Sequence, residues 1–140
     1  MATVSAPRVL LDTATCIYII NKRPQRVFEH FAGMRVGEVA ISSITGAELS
    51  FGVAKSGSRR NQDALDKFLA PLEIVAFDEA AMRQYGPLRS HLERLGTPIG
   101  ALDLLIAAHA LALDCTLISN NLREFSRVPR LKLSNWVGDE

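Results

Sequence analysis

Acidic residues recur where apolar runs end in this sequence. Asp12 closes Val9-Leu10-Leu11. Glu48 follows Val39-Ala40-Ile41 after a short polar stretch. Asp103 lies near the start of the apolar segment Ala101 to Leu113. Ser119-Asn120-Asn121, with Glu124, follows Thr116-Leu117-Ile118. Carboxylates from separate segments, pooled at one place, form an oxygen-ligand site for a hard divalent cation, and Mg²⁺ typically takes few carboxylates and keeps several waters. Such an ion activates water and neutralises charge developing on a phosphodiester. Asp103 is the sharpest case, because no other acid occurs from there to Leu113.

Each of these residues also has a purely structural reading. Thr45-Gly46-Ala47-Glu48 has the form of a capping box, in which Glu48 reaches back to a backbone donor. An acid in a first turn, as at Asp103, is favoured by the helix dipole alone. Asp12 and the Asn121-Leu122-Arg123-Glu124 stretch have the form of helix caps. His109 lies six positions after Asp103, off its helical face and among apolar neighbours, which marks it as a core histidine. His30 and His91 read as helix-surface residues, and the three histidines share no metal-ligand spacing. No Gly-x-Gly-x-x-Gly, phosphate-binding loop or Gly-x-Ser-x-Gly occurs. Cys16 reads as core. Lys55, Arg59 and Arg60 read as a small basic group in a loop, usually solvated but able to touch phosphate.

The elements that must position these groups follow from the apolar pattern. Strands are expected at Val9–Leu11, Val39–Ile41, Ile74–Phe77, Thr116–Ser119 and Leu131–Leu133. Helices are expected from Thr13 to Asn21, from Pro24 to Gly33, from Thr45 to about Lys55, through Leu65–Leu72, from Asp78 to Leu95 and over Ala101–Leu113. Pro87 falls inside the Asp78–Leu95 pattern and predicts a kink or break there. Short apolar strands alternating with helices imply an α/β fold, a parallel sheet covered on both faces. Its binding crevice should then lie beyond the carboxyl ends of the strands.

Composition narrows the class. The chain has 140 residues, 48% hydrophobic and 22% charged, which suits one globular domain over 1–140 rather than a disordered chain. Sixteen Lys and Arg against fifteen Asp and Glu leave +1, which excludes a strongly basic nucleic-acid coat protein. Cys16 and Cys115 form neither a metal-spacing motif nor a disulfide framework, so a reducing cytoplasm is the expected location. The start, Met1 to Arg8, shows no signal-peptide pattern. The longest apolar run has 13 residues and includes Asp103 and His109, too short and too polar to cross a membrane.

Four blocks in order carry a resemblance: Leu10-Leu11-Asp12-Thr13, Ile41-Ser42-Ser43-Ile44-Thr45-Gly46-Ala47-Glu48-Leu49, Leu102-Asp103-Leu104-Leu105-Ile106-Ala107-Ala108-His109-Ala110, and Ser119-Asn120-Asn121-Leu122-Arg123-Glu124-Phe125. From about Val9 to Trp136 the chain closely resembles a PIN domain, and more narrowly a VapC-type ribonuclease toxin of a bacterial toxin–antitoxin pair. The resemblance implies a central parallel sheet of about five strands with helices on both faces, and a Mg²⁺- or Mn²⁺-dependent endoribonuclease. Asp12, Glu48 and Asp103 match the family's main acidic positions, with Asp12 and Asp103 as the metal ligands. The fourth acid of many members falls at Asn121, an amide here; the resemblance to toxins that share this Asn-Asn-x-Arg-Glu-Phe form favours Glu124 over Asn121 as the fourth contributor. Thr13 and Ser119 match small polar residues that hold the acids, supported by Asn120 and Asn121.

The family usually has Asn where this chain has Ala14. The resemblance further implies in-line attack by water at phosphorus, structured RNA such as tRNA as substrate, a small cognate antitoxin, and a homodimer. Apolar Ile19, Ile20 and Phe28 and a mean hydropathy of +0.12 fit either an association surface or a core. Two rivals belong to other classes. A phosphoaspartate receiver needs a second acid beside Asp12, and Thr13-Ala14-Thr15 supplies none. The other is a catalytically weakened PIN domain acting mainly as an antitoxin-binding partner, to which Ala14 and Asn121 point.

Overall fold

Every residue of β1 (Val9–Leu11) is apolar and buried, and the strand lies at the centre of its sheet. The computed structural model describes residues 7–138. Within them the sheet contains β1, β2 (Val39–Ser42), β3 (Glu73–Val75), β4 (Thr116–Ile118) and β5 (Leu133–Ser134), in the order β3-β2-β1-β4-β5. All four pairings are parallel. A buried parallel sheet needs apolar side chains on both faces, and β1 supplies them by alternation. Val9 and Leu11 pack with Cys16, Ile19, Val27, Leu49, Leu65 and Phe68. Leu10 packs with Leu92, Leu104, Ala107 and Phe125. Each such fully buried Leu or Phe is worth about 1.5–3 kcal/mol of transfer free energy.

The helices are α1 (Thr13–Asn21), α2 (Gln25–Ala32), α3 (Ser43–Ser56), α4 (Arg59–Leu69), α5 (Glu79–Arg94), α6 (Ala101–Leu113) and α7 (Leu122–Phe125). The register decides what they present. Leu11 stands opposite both Ile41 and Ile118, so the residues that follow them, Asp12, Ser42 and Ser119, come side by side at the carboxyl edge. Strand order reverses at β1, which is the crevice position in open parallel sheets.

Several expectations are corrected. α3 begins at Ser43, because Ser42 is its cap and accepts from the Ile44 amide. Thr45 therefore lies inside the helix, and Glu48 sits in the second turn. Ser58 caps α4, accepting from the Asn61 amide, so Arg59 and Arg60 open a helix rather than occupy a loop. α5 runs unbroken through Pro87. The proline is exposed, and Leu88 and Leu92 bury the opposite face, so packing on α6 offsets one missing backbone donor. Pro24 sits at the N-cap of α2 rather than in its first turn. The third strand is shorter than expected, and the last lies at Leu133–Ser134. Ile19 is core, and Ile20 and Phe28 are half-buried against it, which favours the core reading of these three residues.

His30, as expected, is exposed on α2, where it stacks on Trp136 at 5.3 Å. Cys16 and Cys115 are free and buried. Among the described residues no helix is long and apolar enough to cross a membrane. The Met1–Arg8 segment, tested above for a signal peptide, falls largely outside the described residues.

Candidate active site

Asp12 is held from two sides. It is the N-cap of α1, where Oδ1 accepts from the Thr15 amide at 2.8 Å. Its Oδ2 accepts from the Ser119 hydroxyl at 2.6 Å, and its own amide donates to the Ile118 carbonyl at 3.1 Å. The residue is only 5% exposed. The cap and the carboxylate site are therefore one and the same group. A carboxylate has about four lone-pair directions, so each oxygen keeps one free for a further partner.

Glu48 makes no capping box. Its Oε1 accepts from the Thr13 hydroxyl at 2.7 Å, which ties α3 to the first turn of α1. Asp103, in the first turn of α6, is half-buried. Asn121 reaches it from the turn after β4. Its Nδ2 donates to Asp103 Oδ2 at 3.3 Å and to Glu124 Oε2 at 2.7 Å. The Asn121 amide donates to the Ser119 hydroxyl at 2.9 Å, so Ser119 links Asp12 to the Asn121 turn. Asn121 caps no backbone group of α7; its side chain bridges two acids instead. Asn120 is exposed and joins none of these bonds. Ala14 is exposed at the second position of α1.

Asp103 feels the other three carboxylates. Desolvation raises Asp103, as do its hydrogen bond and charge contact with Glu124 and the charges of Asp12 and Glu48, and together they push it up to about 6. Glu124 moves down, held by hydrogen bonds from Asn121 and Asp103 and drawn by Arg127 and Arg123. The proton shared by that pair therefore rests on Asp103. Acids supplied by β1, α3, α6 and α7 thus share one field with no Lys or Arg bonded among them. An all-oxygen set with surplus negative charge suits a hard cation. Among the described residues no three acidic, cysteine or histidine side chains converge on one cation position. The arrangement fits an ion that takes two carboxylates and completes its shell with water.

His109 stands apart from this cluster. It is fully buried; its Nδ1 meets the Ser42 hydroxyl at 2.8 Å and its ring meets the edge of Phe77. Burial lowers its pKa and keeps the ring neutral. A satisfied core histidine was expected; the core placement holds, but among the described residues Nε2 has no partner, and neither has the buried Thr45 hydroxyl. Sequence reasoning missed the double role of Ser42, as cap of α3 and partner of His109. The signal was present, since Ser42-Ser43 directly follows an apolar run.

Three comparisons bear on this arrangement. The model of the PIN domain family matches residues 9–131. Ribonuclease VapC2 of Rickettsia felis is 46% identical over 129 residues, covering 91% of this chain and 96% of its own. The tRNA(fMet)-specific endonuclease VapC of Salmonella typhimurium is 38% identical, covering 92% and 98%. Among solved structures, VapBC2 from Rickettsia felis bound to a promoter DNA fragment superposes with a TM-score of 0.83 at 44% identity, covering 91% of this chain and 98% of that one.

Proposed function

Since the chain belongs to the PIN-domain family, and within it to the VapC ribonucleases, we propose that it is an endoribonuclease toxin that cuts RNA at its carboxylate cluster and is neutralised by a VapB-type antitoxin. The observation that carries the site is the linked set of acids at the carboxyl edge, with Ser119 on Asp12, Thr13 on Glu48, and Asn121 bridging Asp103 and Glu124. Burial and the neighbouring carboxylates also raise Asp103 to about 6, and a carboxyl so shifted in a crevice marks functional sites more often than chance placement does.

The reaction is phosphodiester hydrolysis by water. Asp12 and Asp103 are the groups that would hold Mg²⁺ or Mn²⁺. Such an ion, when bound, lowers the pKa of water and neutralises phosphate charge. Glu48, fixed by Thr13, orients the attacking water opposite the leaving 3′ oxygen and accepts its proton. Ser119 keeps Asp12 in place, and Asn121 does the same for Asp103 and Glu124. Cleavage leaves a 5′-phosphate and a 3′-hydroxyl. The substrate is RNA with accessible single-stranded loops, tRNA included, because unstacked bases can be splayed into a crevice. Its relative in Salmonella typhimurium is named for tRNA(fMet).

Two chains associate as a homodimer. In support, Ile74, Met82 and Leu95 stand 50%, 54% and 61% exposed, with Ile74 on the sheet's edge strand. The test of function is cleavage of a loop-containing RNA by the pure chain. Chelator abolishes cutting, Mn²⁺ restores it, and Asp103→Asn folds but cuts at least a hundredfold more slowly. Chelator-resistant cutting, or full activity in Asp103→Asn, removes the cluster from the mechanism.

A further inference from the structure

A groove of about 630 Å³ opens beside the carboxylates, between α1, α3 and α4. Thr13 and Glu48 line it as well as the acidic site, so the two are continuous. Ile17, Ile20 and Val53 make its apolar walls, and Arg60 stands in its far wall. Two of its residues lack a structural explanation. Gly52 lies in the interior of α3, where glycine is disfavoured, and a Cβ there would meet no atom within 4 Å. The protein's own packing therefore does not demand a glycine. Arg60 lies in the first turn of α4, the end of a helix that disfavours a cation. Among the described residues it makes no hydrogen bond or ion pair.

We propose that this groove is a subsite for the RNA strand next to the scissile phosphate. The inference rests on the ribonuclease reading above. A base and its ribose lie along the apolar walls, over the gap left by Gly52. Arg60 takes a neighbouring phosphate. Charge favours this occupant: the acidic cluster repels a polyanion, and a free cation at the other end of the groove holds the strand across it. A positively charged groove that tracks the backbone is one way single-stranded nucleic acids are held without sequence-specific readout.

The test uses the full chain, a short fluorescent single-stranded oligoribonucleotide, and the variants Arg60→Glu, Arg60→Lys and Gly52→Leu. Cleavage kinetics, anisotropy of the bound probe, melting temperature and antitoxin capture are read in each. Arg60→Glu raises KM and probe Kd about tenfold with kcat near wild type, while Arg60→Lys restores most of the loss. The salt dependence of binding falls by about one ion in Arg60→Glu. Gly52→Leu folds normally and also weakens the probe. Wild-type KM and Kd in both Arg60→Glu and Gly52→Leu overturn the proposal. Lost antitoxin capture with unchanged RNA affinity overturns it too, and gives the groove to the antitoxin. A wild-type chain that binds the probe without cutting it defeats the ribonuclease reading instead, and the variants' Kd values still decide the groove.

Discussion

The Ser119 hydroxyl donates to Asp12 Oδ2 at 2.6 Å across 107 residues of sequence. The bond joins the carboxyl ends of the two strands between which the sheet's order turns. Asp12 Oδ1 is meanwhile spent on capping α1. The carboxylate is therefore fixed before any ion or substrate arrives, and the fold rather than the ligand bears the entropy of orienting it. Partners of this kind typically change metal affinity or activity by about 10–100-fold.

Ser119→Ala is expected to separate these two effects. It removes the donor from a buried carboxylate, at a cost of about 1–3 kcal/mol. It also frees Asp12 to rotate, so the Mn²⁺ concentration giving half-maximal cleavage rises at least tenfold. Ser119→Thr keeps the hydroxyl and recovers most of that affinity. Thermal melts and Mn²⁺ titrations of the three proteins check both statements, and an unchanged Mn²⁺ midpoint in Ser119→Ala counts against the positioning role.

A cation that binds only the folded chain stabilises it, by ~2.7 kcal/mol at a hundredfold excess over its dissociation constant. Mn²⁺ is thus expected to raise the melting temperature of the native sequence. The control is Asp12→Asn rather than Asp12→Ala. Asn still offers an oxygen to the Thr15 amide, whereas Ala would also lose the helix cap, worth about 0.5–2 kcal/mol. Calorimetry should show a much smaller Mn²⁺ shift in Asp12→Asn. Equal shifts would place the ion elsewhere.

The pKa of Asp103 sets a pH dependence with a definite sign. In the folded chain its carboxyl lies at about 6, against the ordinary 3.8. The fold therefore binds this proton more tightly than the unfolded chain does. The associated stability is complete below the unfolded value and is lost as pH rises through about 6. Glu124 is shifted the other way, so its contribution is lost only in more acidic solution. Without added metal, Asp103→Asn should melt higher than wild type near pH ~7.5, and the gap should close as pH falls to ~3.5, below the unfolded value. His109, buried and neutral, affects both proteins alike and drops out of the difference. A gap that stays constant with pH would show that Asp103 is not the titrating group.

The parts of this fold that show in the sequence are those decided by local chemistry. α6 has the expected bounds, Ala101–Leu113, because its apolar run is flanked by a loop and ends at an αL residue, Asp114. The carboxyl-edge grouping of Asp12 and Ser119 follows from strand ends alone, and that of Asp103 from the start of α6. The start of α3 was misplaced because Ser42, Ser43 and Thr45 are all competent caps. Tertiary contact decides among them: β2 extends to Ser42, and that side chain meets His109 from α6. Pro87 was over-read for a related reason. A local rule prices the missing donor, but not the packing of Leu88 and Leu92 that holds the helix together. The Thr13–Glu48 bond and the groove beside it depend on how α1, α3 and α4 lie together, which no local pattern records.

Ala14 tests how complete the site is. It is exposed at the second position of α1, two residues after Asp12 and next to Thr13, whose hydroxyl holds Glu48. The family's usual Asn at this position would add an amide able to donate to a carboxylate or to bound water. Alanine supplies no donor, so this side chain cannot make such a contact. Because the position is exposed, Ala14→Asn is accommodated without repacking, at a helix-propensity cost of ~0.5 kcal/mol. Cleavage across a Mg²⁺ titration should then run faster, or reach half-maximal rate at lower Mg²⁺, by about tenfold. Expression of the substituted protein should be more toxic to cells. The small loss of stability and the gain of activity move in opposite directions, so better folding cannot account for the result. Superimposable titration curves for the two proteins would show that the site is already complete with alanine.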